Sequence, residues 1–417
     1  MEEQNLLLSP IKIGNLTAKN RIAINAMECC DADEKGNPSA RTYERYEKLF
    51  DGGSGFIDLE AITCQNENRS REYQLSIMPH NAEPLKKFVS RLREAAKDVV
   101  LVFQLTHSGE ISHPGFSERI RVTEEPLYGY EDARLIGEDD ICKIMDQFVT
   151  SAKIARDAGA DGVDLKFCHG YLGSQILRPY NRHNWKYGGS WEHRRQYAFD
   201  LTERVIKEVG DPDFLVGSKV SIFEGFPGGQ GTAGPDTAIM DLTESIDLIK
   251  GLEARGAQYI IQSAGSPSHT LALSQTDRNI PDHGYFHHYF QKVCRDNLNK
   301  DTVVLGSDYT AYRNGKGTKF QAVAPEKNSV KFWGNKHISE GVVDMICLGR
   351  QSFADPYVAK KMAEGKEEEI NWCTVCDNCI EFLIRQENVG CAVYNKPFTE
   401  RIKEIRAEKG KLKEKHT

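Results

Sequence analysis

Asp140-Ile-Cys-Lys-Ile-Met-Asp-Gln-Phe-Val-Thr-Ser-Ala-Lys-Ile-Ala-Arg-Asp-Ala158, continuing through Gly-Ala-Asp-Gly-Val-Asp-Leu-Lys166, is the stretch that decides the fold. Ile141, Ile144, Met145, Phe148, Ala152 and Ala155 recur near helical spacing, which gives one apolar stripe. Asp157-Ala-Gly stops that helix. The run from Asp161 to Lys166 then has the length and apolar content of a buried strand. A helix that ends at Gly and feeds a short buried strand is the repeating unit of an α/β protein.

Similar strands stand at Arg21–Ala26, Gly55–Glu60, Val99–Leu105, Phe214–Val220, Gln258–Gln262, Thr302–Gly306 and Val343–Gly349. Helical segments at Glu192–Val209 and Asp241–Arg255 fall between them. Eight strands interleaved with helices predict a closed (β/α)8 barrel of the TIM type. An open doubly wound sheet is the alternative, but no Gly-x-Gly-x-x-Gly follows the first strand. The 106–139 stretch reads as a long barrel loop over an active site. Its Arg119, Arg121 and Tyr128 are placed to meet an acidic or aromatic substrate, or only solvent. The Lys- and Glu-rich tail from Arg401 reads as a solvated helix or frayed end.

Composition narrows the function class. The 417 residues are 39% hydrophobic and 28% charged, with a net charge of −7. That balance excludes nucleic acid as the main partner. No apolar run approaches the ~20 residues needed to cross a membrane. The start, Met-Glu-Glu-Gln-Asn, lacks the pattern of a signal peptide, so a cytoplasmic protein is expected.

Near the C-terminus stand Cys373, Cys376, Cys379 and Cys391 in Trp-Cys-Thr-Val-Cys-Asp-Asn-Cys…Gly-Cys. Four thiolates at this spacing suit an iron–sulfur cluster or a tetrahedral zinc, with disulfides as the bland alternative. The other seven cysteines are scattered, as reduced thiols are. Two units follow: a barrel over residues 1–360, and a cysteine segment with a charged tail over 361–417.

Several motifs occur in order: Leu8-Ser-Pro-Ile-Lys-Ile-Gly-Asn-Leu-Thr-Ala-Lys-Asn-Arg21, Asp157 to Lys166, His169-Gly-Tyr-Leu, Tyr187-Gly-Gly-Ser-Trp-Glu-His-Arg, and Leu348-Gly-Arg-Gln-Ser-Phe-Ala-Asp-Pro356. Together they resemble the old yellow enzyme family of FMN-dependent oxidoreductases, from about Leu8 to Glu400. With the cysteine quartet, the chain is similar to the branch holding 2,4-dienoyl-CoA reductase and trimethylamine dehydrogenase. Members of that branch often continue into domains that bind a second flavin and a nicotinamide. Only 26 residues follow Cys391, so the likeness is to the catalytic half.

The resemblance implies FMN held at the C-terminal ends of the strands by Ala26, Met27, Ala61, Gln104, Lys219, Ser307, Gly349 and Arg350. Gln104 would bond the pyrimidine edge. Lys219 stands where the family commonly has an Arg, and keeps its charge without the fork geometry. Gly349-Arg350 and Gly306-Ser307 would form the two halves of the phosphate site. A [4Fe-4S] cluster would sit on the four cysteines, with NAD(P)H or a separate electron-donor protein or subunit as the electron source.

Reduction of the C=C bond of an α,β-unsaturated carbonyl or acyl compound is the implied chemistry. Tyr171 would be its proton donor, His169 its oxygen-binding group, and His269 an assisting residue. Lys166 replaces a His of many relatives. It could bind a substrate carboxylate or another anion, or pair with a nearby acid. An amine-type dehydrogenase and an electron-transferring subunit are the alternatives. The amine enzymes carry a flavin-linking Cys where this chain has Glu28, and a Tyr where it has Lys166. Glu28 then faces the flavin or caps the surface. His283, His287 and His288 read as a solvated helix face rather than a metal site. Substrate identity and oligomeric state are not legible, and a homo-oligomer stays open.

Overall fold

A computed structural model describes residues 5–276, 283–316 and 324–414. Eight parallel strands close into a barrel: β1 (Ile22–Ile24), β2 (Phe56–Thr63), β3 (Val100–Thr106), β4 (Gly162–Phe167), β5 (Leu215–Ser221), β6 (Tyr259–Ser263), β7 (Val303–Gly306) and β8 (Met345–Leu348). Each expected strand is present in order, and β8 closes on β1 through Ile346–Ile22 and Leu348–Ile24. The outer helices are α1 (Ala40–Asp51), α2 (Ala82–Ala95), α3 (Glu138–Ala158), α4 (Trp191–Val209), α5 (Thr243–Ala254), α6 (His283–Asn297), α7 (Val330–Ser339) and α8 (Val358–Ala363). Among the described residues, no helix is long and apolar enough to cross a membrane.

The strand period of two explains what fills the barrel. Ala23, Phe56, Val100, Val102, Leu215, Tyr259, Ile261, Val303, Leu305, Met345 and Cys347 form one buried apolar cluster. Phe56 and Tyr259 meet edge to face at 5.5 Å. Gly217 makes room there, because a Cβ on it would come within 2.4 Å of the Tyr259 ring. An N-terminal hairpin, Ile11–Ile13 with Leu16–Ala18, adds Ile13 and Ala18 to this cluster. Further along the same strands the inward residues turn polar: Asp58, Gln104, Asp164 and Lys219, all buried. That change of chemistry marks the C-terminal mouth, where barrels of this type carry their sites.

The long loop folds back on itself. Ile120–Arg121 pairs with Arg134–Leu135. Arg119 binds Asp132 and the Ser112 carbonyl, and Arg121 binds the carbonyls of Ala133, Thr123 and Glu124. Both arginines therefore tie the loop rather than reach for a substrate. Tyr128 docks it to the barrel, donating to the Gly170 carbonyl and accepting from Arg178.

Arg178 also forms a bidentate pair with Glu224 at 2.7 and 2.9 Å, with side chains 1% and 0% exposed. Removing one partner strands a buried charge. Arg178→Met should therefore destabilise the fold by about 3–5 kcal/mol in denaturant titration.

Two expectations need correction. His287 and His288 are not a solvated face. His287 is buried and bonded to Gln262 and the Leu273 carbonyl, while His288 meets Tyr312 among Tyr309, Trp333 and His337. The helical stripe of α6 turns them inward; His283's side chain lies outside the described residues. Nor is the tail merely solvated. α9 (Asn378–Ile384) and α10 (Lys396–Glu414) bury Phe382, Ile402 and Ile405 with Val389, Ala392 and Cys29.

Candidate active site at the mouth of the barrel

Four side chains meet at the end of β4. Tyr171 donates its hydroxyl to Glu28 Oε1 at 2.5 Å. Arg71 Nε binds Glu28 Oε2 at 3.1 Å. Lys166 Nζ lies 3.4 Å from the centre of the Tyr171 ring and 3.8 Å from Glu28 Oε1. The backbone brings this about. His169 and Gly170 adopt left-handed φ of 61° and 79°, which turns the chain between β4 and the short helix Leu172–Leu177. A Cβ on Gly170 would meet the Tyr128 hydroxyl at 2.3 Å, so the close loop contact needs glycine.

Burial alone would raise the Glu28 pKa. Arg71, Lys166 and the Tyr171 hydroxyl more than offset it and hold Glu28 below the ordinary carboxylate value. Tyr171 is shifted well upward, by burial first and then by the Glu28 charge. It therefore keeps its proton at neutral pH. Across the mouth, His169 Nε2 lies 2.7 Å from Ser263 Oγ, and burial with Lys219 and Lys166 pushes its pKa well down. His169 is thus a neutral imidazole.

Beneath them lies a second polar group. Gln104 Nε2 donates to Asp164 Oδ2 at 2.6 Å and to Asp58 Oδ2 at 3.2 Å. The Lys219 N–H binds Asp164 Oδ1 at 2.6 Å, and its ammonium binds Asn25 Oδ1 at 3.0 Å. Burial raises both aspartates, Asp58 well above its ordinary value with Asp164 adding to the effect. A raised native pKa means the folded chain holds a proton that the unfolded chain releases above about pH 4. Parent stability is therefore lost as pH rises toward the native pKa, by at most about 1.4 kcal/mol per pH unit. Asp58→Asn has no proton to lose at that position. Its melting temperature should match the parent near about pH 4 and exceed it increasingly by about pH 8. A difference independent of pH would contradict the shared-proton account.

The other expected site residues are distributed as follows. Ala26 and Met27 follow β1, and Ala61 lies near the end of β2. The Ala26 N–H points to Asp58 Oδ2 at 3.4 Å. Ser307 receives the Asn25 amide at 3.4 Å, and the Gly349 N–H binds Thr310 Oγ1 at 3.2 Å. Arg350 is engaged by protein groups: it pairs with Asp377 and donates to the Thr276 carbonyl at 2.9 Å. His269 stands apart from Tyr171, exposed and stacked on Phe226 at 4.2 Å with Tyr128 at 5.0 Å.

The small residues after β1 and in β2, the Gln104 amide and the Lys219 ammonium are chemically suited to a flat heterocycle with an anionic edge. Thr106 Oγ1 and Ser108 Oγ, at the end of β3 and just beyond, are buried without a partner among the described residues. These two hydroxyls add free donors at the end of β3, where Gln104 and Lys219, like Arg350, already have protein partners.

The cysteines lie beside this mouth. All are free thiols, and none of the four is exposed. Among the described residues, no group of three or more His, Cys, Asp or Glu stands close enough to hold a metal ion. Two of the sulfurs nonetheless accept hydrogen bonds. The Val375 N–H reaches Cys373 Sγ at 3.4 Å and the Asn378 amide reaches Cys376 Sγ at 3.3 Å. Val375 and Asp377 both have left-handed φ; burial raises the thiol pKa of Cys373 and pushes that of Cys379 up to about 12, and Arg350 opposes the rise only in part. The segment also grips the mouth: Val389 N–H to the Cys29 carbonyl, Asn388 to the Cys30 carbonyl, and Gln386 to the Ser70 carbonyl.

Asn25, Asp58, Arg71 and Asp164 were not singled out by the sequence. Asp58 and Asp164 had a signal, a carboxylate within a buried strand run. Arg71 and Asn25 had none.

A parallel barrel whose mouth is set for a flat heterocycle belongs among the oxidoreductase barrels of the flavin type. The chain is a member of the NADH:flavin oxidoreductase / NADH oxidase family, whose model matches residues 6–279. It is 27% identical over 398 residues to an NADH oxidase of Thermoanaerobacter brockii, covering 92% of this chain and 53% of that protein. It is 26% identical over 417 residues to a cinnamate reductase of Clostridium sporogenes, covering 94% and 58%. The chain thus spans about half the length of these curated relatives. A 2-naphthoyl-CoA reductase in complex with 2-naphthoyl-CoA shares the fold, with a TM-score of 0.77 at 21% identity over 95% of this chain and 58% of that one.

Proposed function

We propose that the chain binds FMN at the barrel mouth, carries a [4Fe-4S] cluster on Cys373, Cys376, Cys379 and Cys391, and reduces the C=C bond of an α,β-unsaturated carbonyl or acyl compound. The observation that carries this proposal is the buried Tyr171 phenol, protonated, held by Glu28 and flanked by Lys166. FMN, when bound, supplies a hydride to the β-carbon. Tyr171 supplies the proton to the α-carbon, and Glu28 orients its hydroxyl. Neutral His169 donates to the substrate oxygen, and Lys166 adds positive charge beside it. Gln104 and Lys219 would hold the pyrimidine edge of the flavin, with Ser307 and Gly349 toward its phosphate end.

A cluster held by these four cysteines would supply one-electron transfer, with a separate donor protein or subunit as the electron source and NAD(P)H as the alternative. The contacts of residues 386–389 with the loops after β1 and β2 support a short path between cluster and mouth. Two cations, the half-buried Arg71 and the buried Lys166, disfavour an ammonium substrate and with it the amine-type reading. The relative named for cinnamate reduction supports the reductive direction. Protein purified anaerobically should release FMN on denaturation and contain iron. Colourless protein holding zinc would overturn the proposal.

A further inference from the structure

Lys166 is a buried cation without a full partner. Its side chain is 4% exposed. The nearest carboxylate oxygen, Glu28 Oε1, stands 3.8 Å away, beyond hydrogen-bond reach, and no described residue accepts a hydrogen bond from Nζ. Glu28 takes charge from Lys166 but no hydrogen bond, because its two oxygens already receive the Tyr171 hydroxyl and Arg71 Nε. The π face of Tyr171 covers one side of the ammonium only.

Charge sharpens the point. Arg71 and Lys166 bring two positive charges to this pocket and Glu28 one negative charge, so one positive charge is left over; Asp164, which also feels Lys166, is pushed by burial toward its neutral form. Lys219 is a separate case: its ammonium is bound to Asn25 and sits over the Asp58–Asp164 pair. His169 is neutral and compensates nothing. A buried charge left uncompensated is costly, and a neutral carbonyl oxygen satisfies one N–H without removing the charge. A carboxylate does both.

We infer that Lys166 receives the free carboxylate of the substrate, so that the substrate class is an α,β-unsaturated carboxylic acid taken as its anion, in preference to its ester, thioester or ketone counterpart. This rests on the reductase proposal above. Two electrons and one proton arrive as hydride at the β-carbon, drawn ultimately from NAD(P)H or the donor protein. A second proton passes from Tyr171 to the α-carbon and is replaced from water. The C=C π bond breaks, two C–H bonds form, and the carboxylate keeps its charge. An enoate anion is a poor hydride acceptor by itself, and the Lys166 ion pair offsets the electron density that makes it so.

The test uses FMN-loaded full chain with saturated probes that cannot react, butanoate and methyl butanoate, followed by the flavin absorbance change and by calorimetry. Butanoate should bind about 10–100-fold tighter than its ester, and Lys166→Met should lose that factor while ester binding stays unchanged. Lys166→Arg should retain most of the preference, which separates lost charge from lost folding. Equal binding of acid and ester, or an unchanged butanoate Kd in Lys166→Met, overturns the inference. Turnover of but-2-enoate and but-3-en-2-one separates the two proposals. Selective butanoate binding without reduction of either compound refutes the reductase proposal and leaves the carboxylate site standing. Reduction of but-3-en-2-one without selective butanoate binding does the reverse.

Discussion

Tyr171→Phe should slow the proposed C=C reduction by about 10²–10⁴-fold, the range expected for a lost general acid. The ring stays, so the Lys166 contact to its face at 3.4 Å is kept. What goes is the hydroxyl, and with it the 2.5 Å hydrogen bond to Glu28. Arg71 and Lys166 still neutralise Glu28, so the site should not collapse. Loading of FMN and its reduction should therefore change little, because Gln104 and Lys219 lie on other strands. Rapid mixing resolves the two half-reactions: the reductive one stays near the parent rate and the reoxidation by substrate falls. A variant that reoxidises at the parent rate removes Tyr171 as the proton donor.

If the four cysteines hold the proposed cluster, Cys379→Ser should empty that site, taking iron from about four atoms per chain to below about one. The four cysteines share one short segment, and Cys373 and Cys379 both lie in the field of Arg350. Loss of one thiolate leaves a cluster without its fourth anchor. The barrel should survive, because its apolar interior draws nothing from residues 373–391. FMN should stay bound while reduction by a one-electron donor is lost. Iron analysis and the visible spectrum check this. Unchanged iron, or zinc in its place, contradicts the cluster assignment.

The barrel was legible because each strand run is short, apolar and followed by a helix with a clean apolar stripe. The strand ends were legible too, since Gln104, Lys166 and Lys219 are polar where the preceding residues are not. The residues that shape their chemistry were harder to see. Arg71 lies in a loop without periodicity, and it reaches Glu28 where the 70–73 stretch folds back against the loop after β1, the Tyr73 carbonyl accepting from the Ala32 N–H. His287 and His288 looked solvated because a cluster of histidines is hydrophilic by composition. In the structure Tyr309, Tyr312 and Trp333 give them aromatic and hydrogen-bonding partners. Arg350 was assigned to a phosphate from its place after β8, but Asp377, 27 residues away, now holds it. Such pairings depend on tertiary contacts that one sequence does not encode locally.

Oxidation of the anaerobically reduced protein by an unsaturated acceptor tests the central claim most directly. The account predicts that adding but-2-enoate restores the oxidised flavin spectrum and yields about one saturated product per flavin. A reduced flavin that stays reduced with every α,β-unsaturated carboxylate and ketone, together with an oxidised form that is bleached by amines, would contradict it.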